Sequence, residues 1–565
     1  MKTKKIFIFA CLAALTLAFT ACQEPEQLTL TGITAVFDSG TTKIYTDTPL
    51  NNLKNYLTVT ATYDNDSTKP LNASEYTLSV KGGGTTLIVG ENTITVTYEG
   101  ETDAFNVTVF ETPTRKFWAQ NMATEDYYQT NAKLLYEGIH CNVWVETTSG
   151  KTAAAAKQVA DAYDQIIYQK MIDTFSFSNL SDEYGTYSNA MEFADEALGD
   201  KDGKLCILLL DIKDDYKKND DPYVEGYFWA GDLYNGEHSN SSDMIYIDTN
   251  PGEPGSKESN MTLAHEMQHL MNFATTSLVR EFEMDVWIDE GLSAAAEWIY
   301  TNEHSQDKIQ SYNENWSELI DKGNNFFVWD NHQDNPYAII DDYSTVYLFF
   351  QWLRIQANGP GIYKDIITSE EYDYFAVTEA AGDKIDGDYG DGSWDLLLRD
   401  WLAANYIKAA AGRYGYGNDA VLKDITSHIL TTAETTIDLY PGEGVYSKVD
   451  ATFTDIPVEG DYIKYAGLNK TIPQVSDDSV FTNGVLLTYN TDVYFDIYDP
   501  DYQPTIEEGA ITGIASIGIA PAQGRFVTTP PRSFRIDARD LLRRNGAEGN
   551  LPNSDLQRNS RRVVR

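Results

Sequence analysis

Cysteine is scarce, four in 565 residues. Cys11 and Cys22 fall in an N-terminal apolar stretch, so Cys141 and Cys206 alone remain for the body of the chain. That excludes a disulfide framework. Both sit in apolar, strand-like runs, 138–145 and 205–210, and the expectation is either two buried free thiols or one disulfide. Basic residues are also few, 42 against 86 acidic, for a formal net charge of −44. Such a surface repels nucleic acid and anionic lipid and suits a well-solvated protein at an exposed location. Beyond residues 6–19 no apolar run reaches spanning length, so membrane contact is expected only through the N-terminus.

Lys2, Lys4 and Lys5 precede that apolar run, and residues 1–22 therefore read as an export signal, outside the fold. The run ends at Thr20-Ala21-Cys22, which resembles the lipobox of bacterial lipoproteins, with Phe19 where that pattern usually has Leu. The resemblance implies cleavage before Cys22 and a lipid anchor on its sulfur, at the outer surface of a bacterial cell envelope. Ordinary signal cleavage nearby, giving a freely secreted protein, is the alternative.

The rest of the chain divides by its patterning into a multidomain protein. Residues 23–112 alternate in strand fashion, as in Leu57, Val59, Ala61, Tyr63, then Ile94, Val96, Tyr98, then Phe105, Val107, Val109. Turn signals such as Asp64-Asn65-Asp66 and Gly82-Gly83-Gly84 separate them. An all-β sandwich is expected, and the segment resembles the bacterial immunoglobulin-like modules that serve mainly as spacers in surface lipoproteins. After a linker at 111–114, residues 113–440 mix α and β. Here a strand holds Cys141, a helix is expected over 152–174, and strands over 204–212, 225–231 and 243–248 follow. Helices are expected again within 348–406 and over 426–436. Residues 441–510 return to β patterning and form a small C-terminal β domain. Residues 511–565 are a basic tail, disordered or foreign to the domain before it: from residue 525 on it carries ten Arg and four acidic residues.

The chain has only seven histidines, and two of them stand in His265-Glu266-Met267-Gln268-His269. The surrounding 259–273 segment has helical apolar spacing and no Pro or Gly. On a helix, positions i and i+4 share one face, so both imidazoles can address one metal ion. Glu266 then stands beside the site, placed to take a proton from a water at the metal.

A catalytic zinc site needs a third protein ligand. In the metzincins a Gly and a third His follow the second His at fixed spacing; Asn272 and Thr275 hold those places, so that arrangement is excluded. The other candidates are Glu290, in the helical segment 286–299, and His304, Asp285 or Asp289, which no motif supports. His-Glu-x-x-His followed by Trp287-Ile288-Asp289-Glu290-Gly291-Leu292-Ser293 and then Glu297 resembles a gluzincin metallopeptidase, of the hyicolysin-type secreted group. It is also similar to the Asn-Glu-Gly segment of the membrane-alanyl aminopeptidase group. The resemblance implies an α+β zincin fold for the central domain, one Zn²⁺, and Glu290 as its third ligand.

Glu297, seven residues further along the same helix face, is either hydrogen-bonded to a ligand histidine or an exposed carboxylate. Segment 341–353 resembles the helix of aminopeptidase-group gluzincins whose leading Tyr points into the site, which assigns the oxyanion-stabilising role to Tyr343, with Tyr347 as competitor. The 226–252 block resembles the edge strand and following strand of thermolysin-like enzymes. Aminopeptidases of the related group hold the substrate amino terminus with Gly-x-Met-Glu-Asn. The Met-Glu of this chain, Met191-Glu192, lies too far upstream, so an endopeptidase acting on protein or peptide is expected. A second class is a surface adhesin whose peptidase-like domain binds without turnover. The acidic turn Asp386, Asp388, Asp391 could hold Ca²⁺ or be a solvated turn.

Overall fold

A computed structural model describes residues 28–493 and 507–509, apart from 41–42, 125, 183–184, 215, 218–222, 281, 315–325, 328–338, 391, 428, 431–436, 440 and 449–461. The export signal with Cys22, and the basic tail, lie outside the described residues. The chain divides between Glu111 and Thr112 into two compact units.

Among its described residues, the first unit is β apart from one 3-10 segment, Leu50–Tyr56. Its strands are β1 (Leu30–Phe37), β2 (Ile44–Tyr45), β3 (Leu57–Tyr63), β4 (Thr68–Pro70), β5 (Thr77–Val80), β6 (Gly90–Tyr98) and β7 (Glu101–Phe110). They form two sheets, ordered β1-β3-β4 and β2-β7-β6-β5. The alternation seen in the sequence is the packing itself. Ile94 and Val96 of β6, Val107 and Val109 of β7, and Val59 and Ala61 of β3 turn inward to one core with Leu53 and Leu78. Each buried Val, Ile or Leu among them is worth roughly 1.5–3 kcal/mol.

The second unit is built on a six-stranded mixed sheet. It begins with β8 (Thr114–Gln120), β9 (Tyr127–Glu137) and β10 (Cys141–Glu146). A helical stretch follows, α1 (Ala153–Ala162) and α2 (Tyr168–Phe175), joined by a π turn over Tyr163–Ile167, so the expected helix is continuous with one bulge. The hairpin β11 (Leu180–Asp182) and β12 (Gly185–Tyr187) and the short α3 (Ala190–Phe193) lead to β13 (Leu205–Leu210), β14 (Gly226–Phe228) and β15 (Met244–Asp248). The sheet order is β14-β15-β13-β10-β9-β8, with β10, β13 and β15 parallel and β14 antiparallel at the edge.

Parallel central strands are covered on both faces and read as unbroken apolar runs. In β13 every residue is buried: Leu205, Ile207 and Leu209 face the helices, while Cys206, Leu208 and Leu210 face Phe117, Tyr227 and Tyr246. This register settles the cysteines. Cys141 pairs with Leu205 and Cys206 with Asn142, so the two thiols point to opposite faces and remain free.

The helical layer follows the sheet: α4 (Lys257–Phe273), α5 (Val286–Thr301), α6 (Gln306–Glu314) and α7 (Ile339–Gln356). Ser256 caps α4 by accepting from the backbone N–H of Ser259 at 3.1 Å. Trp287 at the start of α5 packs its ring among Phe326, Phe349, Phe350 and Trp394. Further helices span Gly361–Ile367, Tyr374–Lys384 and Trp394–Ile407.

One expected helix is corrected. Within 426–436 the described residues Ile429–Leu430 form a strand, paired in parallel with Tyr446 and Ser447. The run is rich in β-branched residues, which suit a pleated surface. That strand joins Gly444–Lys448, Val485–Asn490, Ile463–Asn469 and Gln474–Ser476 in a five-stranded sheet. In it Tyr446 donates to the Leu402 carbonyl at 2.6 Å, tying the sheet to the Trp394–Ile407 helix. In the acidic turn, Asp386 caps a 3-10 turn and pairs with Arg413, while Asp391 lies outside the described residues.

Candidate metal centre

Helix α4 is buried nearly throughout because it is sandwiched between the sheet and α5. Two glycines permit the close approach. A Cβ at Gly226 on β14 would sit 2.7 Å from the Thr262 methyl, and one at Gly291 on α5 would collide with the Phe350 ring. The first places the edge strand against α4, and the second lets α5 settle on α7 with Glu290 turned toward the histidines. Glu225, next to Gly226, accepts from the Thr262 hydroxyl at 2.8 Å and reinforces the first contact.

His265, His269 and Glu290 converge, all fully buried, with one ligand atom from each lying within 4.8 Å of the others. The Nε2 atoms of His265 and His269 stand 3.4 and 3.5 Å from the same oxygen, Oε2 of Glu290. Ligands about 2.0–2.1 Å from a tetrahedral zinc are separated by about 3.3–3.4 Å, so the spacing fits such an ion. Among the described residues neither Nε2 has a hydrogen-bond partner, and a buried imidazole nitrogen without one is unfavourable unless a ligand meets it.

The opposite ring nitrogens are held. His265 Nδ1 lies 3.1 Å from Oε1 of Glu297, whose carboxylate is clamped by Lys308 at 2.7 and 2.8 Å. His269 Nδ1 lies 3.0 Å from Oδ2 of Asp289 and 3.1 Å from the Ser293 hydroxyl, which itself donates to Gln268. Asn272 donates to the other Asp289 oxygen at 2.6 Å. Carboxylate acceptors keep the proton on Nδ1 and leave the Nε2 lone pairs for a metal.

The electrostatics match a site for a cation. Glu266, Asp289, Glu290 and Glu297 gather around two imidazoles and Lys308. Burial disfavours a charged imidazole, yet Glu290 and Glu297 leave His265 raised, and Asp289 and Glu290 raise His269 far more. Burial likewise opposes charge on Glu290, but His269 and His265 hold it well below the usual carboxylate range. Glu297 is lowered as Lys308 and His265 outweigh its burial. Burial pushes the Glu266 carboxyl up to about 7, against the pull of His269 and His265.

The two tyrosines separate. The ring of Tyr343 lies 6.3 Å from that of His265. The Tyr347 hydroxyl is engaged elsewhere, 2.9 Å from His304 Nδ1 and 3.1 Å from the Ser305 N–H. His304 in turn meets Asp419 at 2.9 Å and stands outside the cluster. Sequence reasoning brought together His265, Glu266, His269, Glu290 and Glu297. It did not see Lys308, nor Asp289 and Ser293 as partners of His269, although their i, i+4 spacing was a signal that both face one side of α5.

A sheet edge laid beside a helix bearing two histidines, with a carboxylate supplied by the next helix, is an arrangement that can hold a metal beside an extended peptide. Over 323 residues the chain is 31% identical to the neutral metalloprotease ShpI of Staphylococcus hyicus, covering 55% of this chain and 67% of that protein. The chain belongs to the family of that neutral metalloprotease. Residues 53–109 match the bacterial Ig-like domain (group 3), which accounts for most of the N-terminal sandwich. No helix among the described residues is long and apolar enough to cross a membrane.

Proposed function

We propose that the chain is a zinc-dependent endopeptidase with a gluzincin-type zincin fold, exported and held at the bacterial cell surface through a lipid on Cys22. The observation that carries the catalytic part is the buried convergence of His265, His269 and Glu290 on one point. These three residues would hold the zinc. When bound, the ion would polarise a water and the scissile carbonyl.

The chain's own residues then have distinct tasks. Glu266 takes a proton from the attacking water and passes it to the leaving amine. Tyr343 offers its phenol to the oxyanion of the tetrahedral intermediate. Glu297, braced by Lys308, fixes the ring of His265, and Asp289 with Ser293 fixes that of His269. The edge strand β14 lies beside α4, where an extended substrate segment would align. Endopeptidase action is favoured because the Met191-Glu192 pair lies on α3, before β13 and far upstream of the metal helix α4. The immunoglobulin-like unit would act as a spacer between the anchor and the catalytic domain.

The test compares the mature protein with Glu266→Ala for zinc content and for cleavage of a broad peptide library. Stoichiometric zinc in both, with cleavage by the wild type alone, is expected. Zinc without cleavage by the wild type would favour an adhesin instead, and absence of zinc would refute the metal site.

A further inference from the structure

A second group of carboxylates gathers where the loop after α3 enters β13. One carboxylate oxygen from each of Asp195, Asp200 and Asp202 lies within 4.8 Å of the others. Asp243, immediately before β15, reaches the same loop. A Cβ on Gly199 would be 2.6 Å from Oδ1 of Asp243 and 3.0 Å from the Asp195 Cα, so only glycine fits between them. Asp195 and Asp243 are 5% and 1% exposed. Among the described residues, Oδ1 of each has no hydrogen-bond partner.

The remaining oxygens are organised from outside the cluster. Asp195 Oδ2 accepts from the Gly203 N–H at 3.0 Å, and Asp200 Oδ2 accepts from the Ser242 hydroxyl at 2.8 Å. Asp202 accepts from the Lys204 N–H at 2.9 Å and from Asn142 Nδ2 at 2.8 Å. The guanidinium of Arg115, 3.8 Å from Asp200, is the positive side chain the cluster meets among the described ion pairs. One guanidinium at that distance, with the Lys204 ammonium acting on Asp202 through its charge, leaves much of the charge of four carboxylates uncompensated. A buried carboxylate oxygen with no partner is costly, and mutual repulsion adds to that cost.

We propose that Asp195, Asp200 and Asp202 form a structural Ca²⁺ site in the loop between α3 and β13, with Asp243 at its border adding negative charge. The donors are all oxygens, which excludes a preference for zinc or copper. Several carboxylates with backbone carbonyls nearby suit Ca²⁺ better than Mg²⁺, which demands a tighter octahedron and keeps its waters. Burial, and then repulsion by Asp195 and Asp200, pushes the Asp243 carboxyl well above the usual range, and burial raises Asp202 to about 6. A divalent cation would remove both penalties. The site shares no residue with the histidine centre and does not depend on the reading of that centre.

The test uses the full mature protein, freed of calcium with a calcium-selective chelator and returned to stoichiometric zinc. Calorimetric titration with CaCl₂ should show a single site, tighter for Ca²⁺ than for Mg²⁺, and added Ca²⁺ should raise Tm by several degrees. Asp200→Asn and Asp202→Asn, on exposed loop positions, should fold normally, keep wild-type zinc content, and bind Ca²⁺ roughly tenfold or more weakly. Asp243→Asn should raise Tm in calcium-free buffer and diminish the response to Ca²⁺. No calcium-dependent change in Tm of the wild type would overturn the proposal, as would equal calcium binding by wild type and the Asp200 and Asp202 variants. A wild type indifferent to calcium whose Asp243→Asn variant is more stable would show that the carboxylates are neutralised by protons.

Discussion

Replacing Glu297 by Ala separates the metal's direct ligands from the groups that aim them. Glu297 is 4% exposed; it holds His265 Nδ1 at 3.1 Å, and both of its oxygens bind Lys308. Loss of such a partner to a ligand histidine weakens metal binding about 10–100-fold, equivalent to about 1.4–2.7 kcal/mol. It also strands the Lys308 ammonium, whose side chain is 17% exposed. Breaking a buried pair by removing one partner costs about 3–5 kcal/mol, and the partial exposure of Lys308 places this case near the lower end. Two controls separate the effects. Glu297→Gln keeps an acceptor for His265 and should retain most of the zinc affinity. Glu297→Ala with Lys308→Met should recover stability while leaving the zinc loss in place. Zinc affinity is read by chelator competition and stability by urea denaturation of the zinc-loaded protein. If Glu297→Ala kept wild-type zinc affinity with a lowered stability, Glu297 would be only a partner for Lys308 and the tautomer argument would fall.

Other perturbations follow from the same geometry. Tyr343→Phe should lower kcat with zinc content retained, whereas Tyr347→Phe should leave kcat unchanged and lower stability by about 1–3 kcal/mol by stranding His304 Nδ1 and the Ser305 amide; the reverse pattern in peptide kinetics would exchange their roles. Gly291→Ala should destabilise by about 1–3 kcal/mol through overpacking against Phe350, and an unchanged Tm would mean that α5 and α7 can part without strain. Asp232, fully buried between the Asn240 N–H at 2.7 Å and the Tyr246 hydroxyl, is raised to about 7 by burial. A carboxyl whose folded value lies above its unfolded one contributes its stability at low pH, and that contribution is lost as pH rises from about 4 to about 7. The loss is at most about 4 kcal/mol. Asp232→Asn should flatten that part of the stability profile, and an unaltered slope would show that Asp232 is ionised throughout.

The sequence by itself determined the parts whose signal is local. The alternation in β6 and β7 named their buried residues, because a half-covered strand must show period two. The spacing of His265 and His269 set both imidazoles on one face of a helix, and Glu290 and Glu297 lie seven apart on another. The helix expected over 426–436 failed because a short run of β-branched residues carries no strong period, and its pairing partner at Tyr446 is distant in sequence. Only the tertiary structure could decide which nitrogen of each histidine is held, since that depends on Lys308 from α6 and on the fit of α5 against α4. It also separated Tyr343 from Tyr347, one helical turn apart, by giving the second hydroxyl to His304. Asp195, Asp200 and Asp202 are close together in the sequence, but that Asp243 stands beside them follows only from the parallel pairing of β13 with β15. Periodicity reports which face a residue occupies, and only the packing of one element on another reports what that face meets.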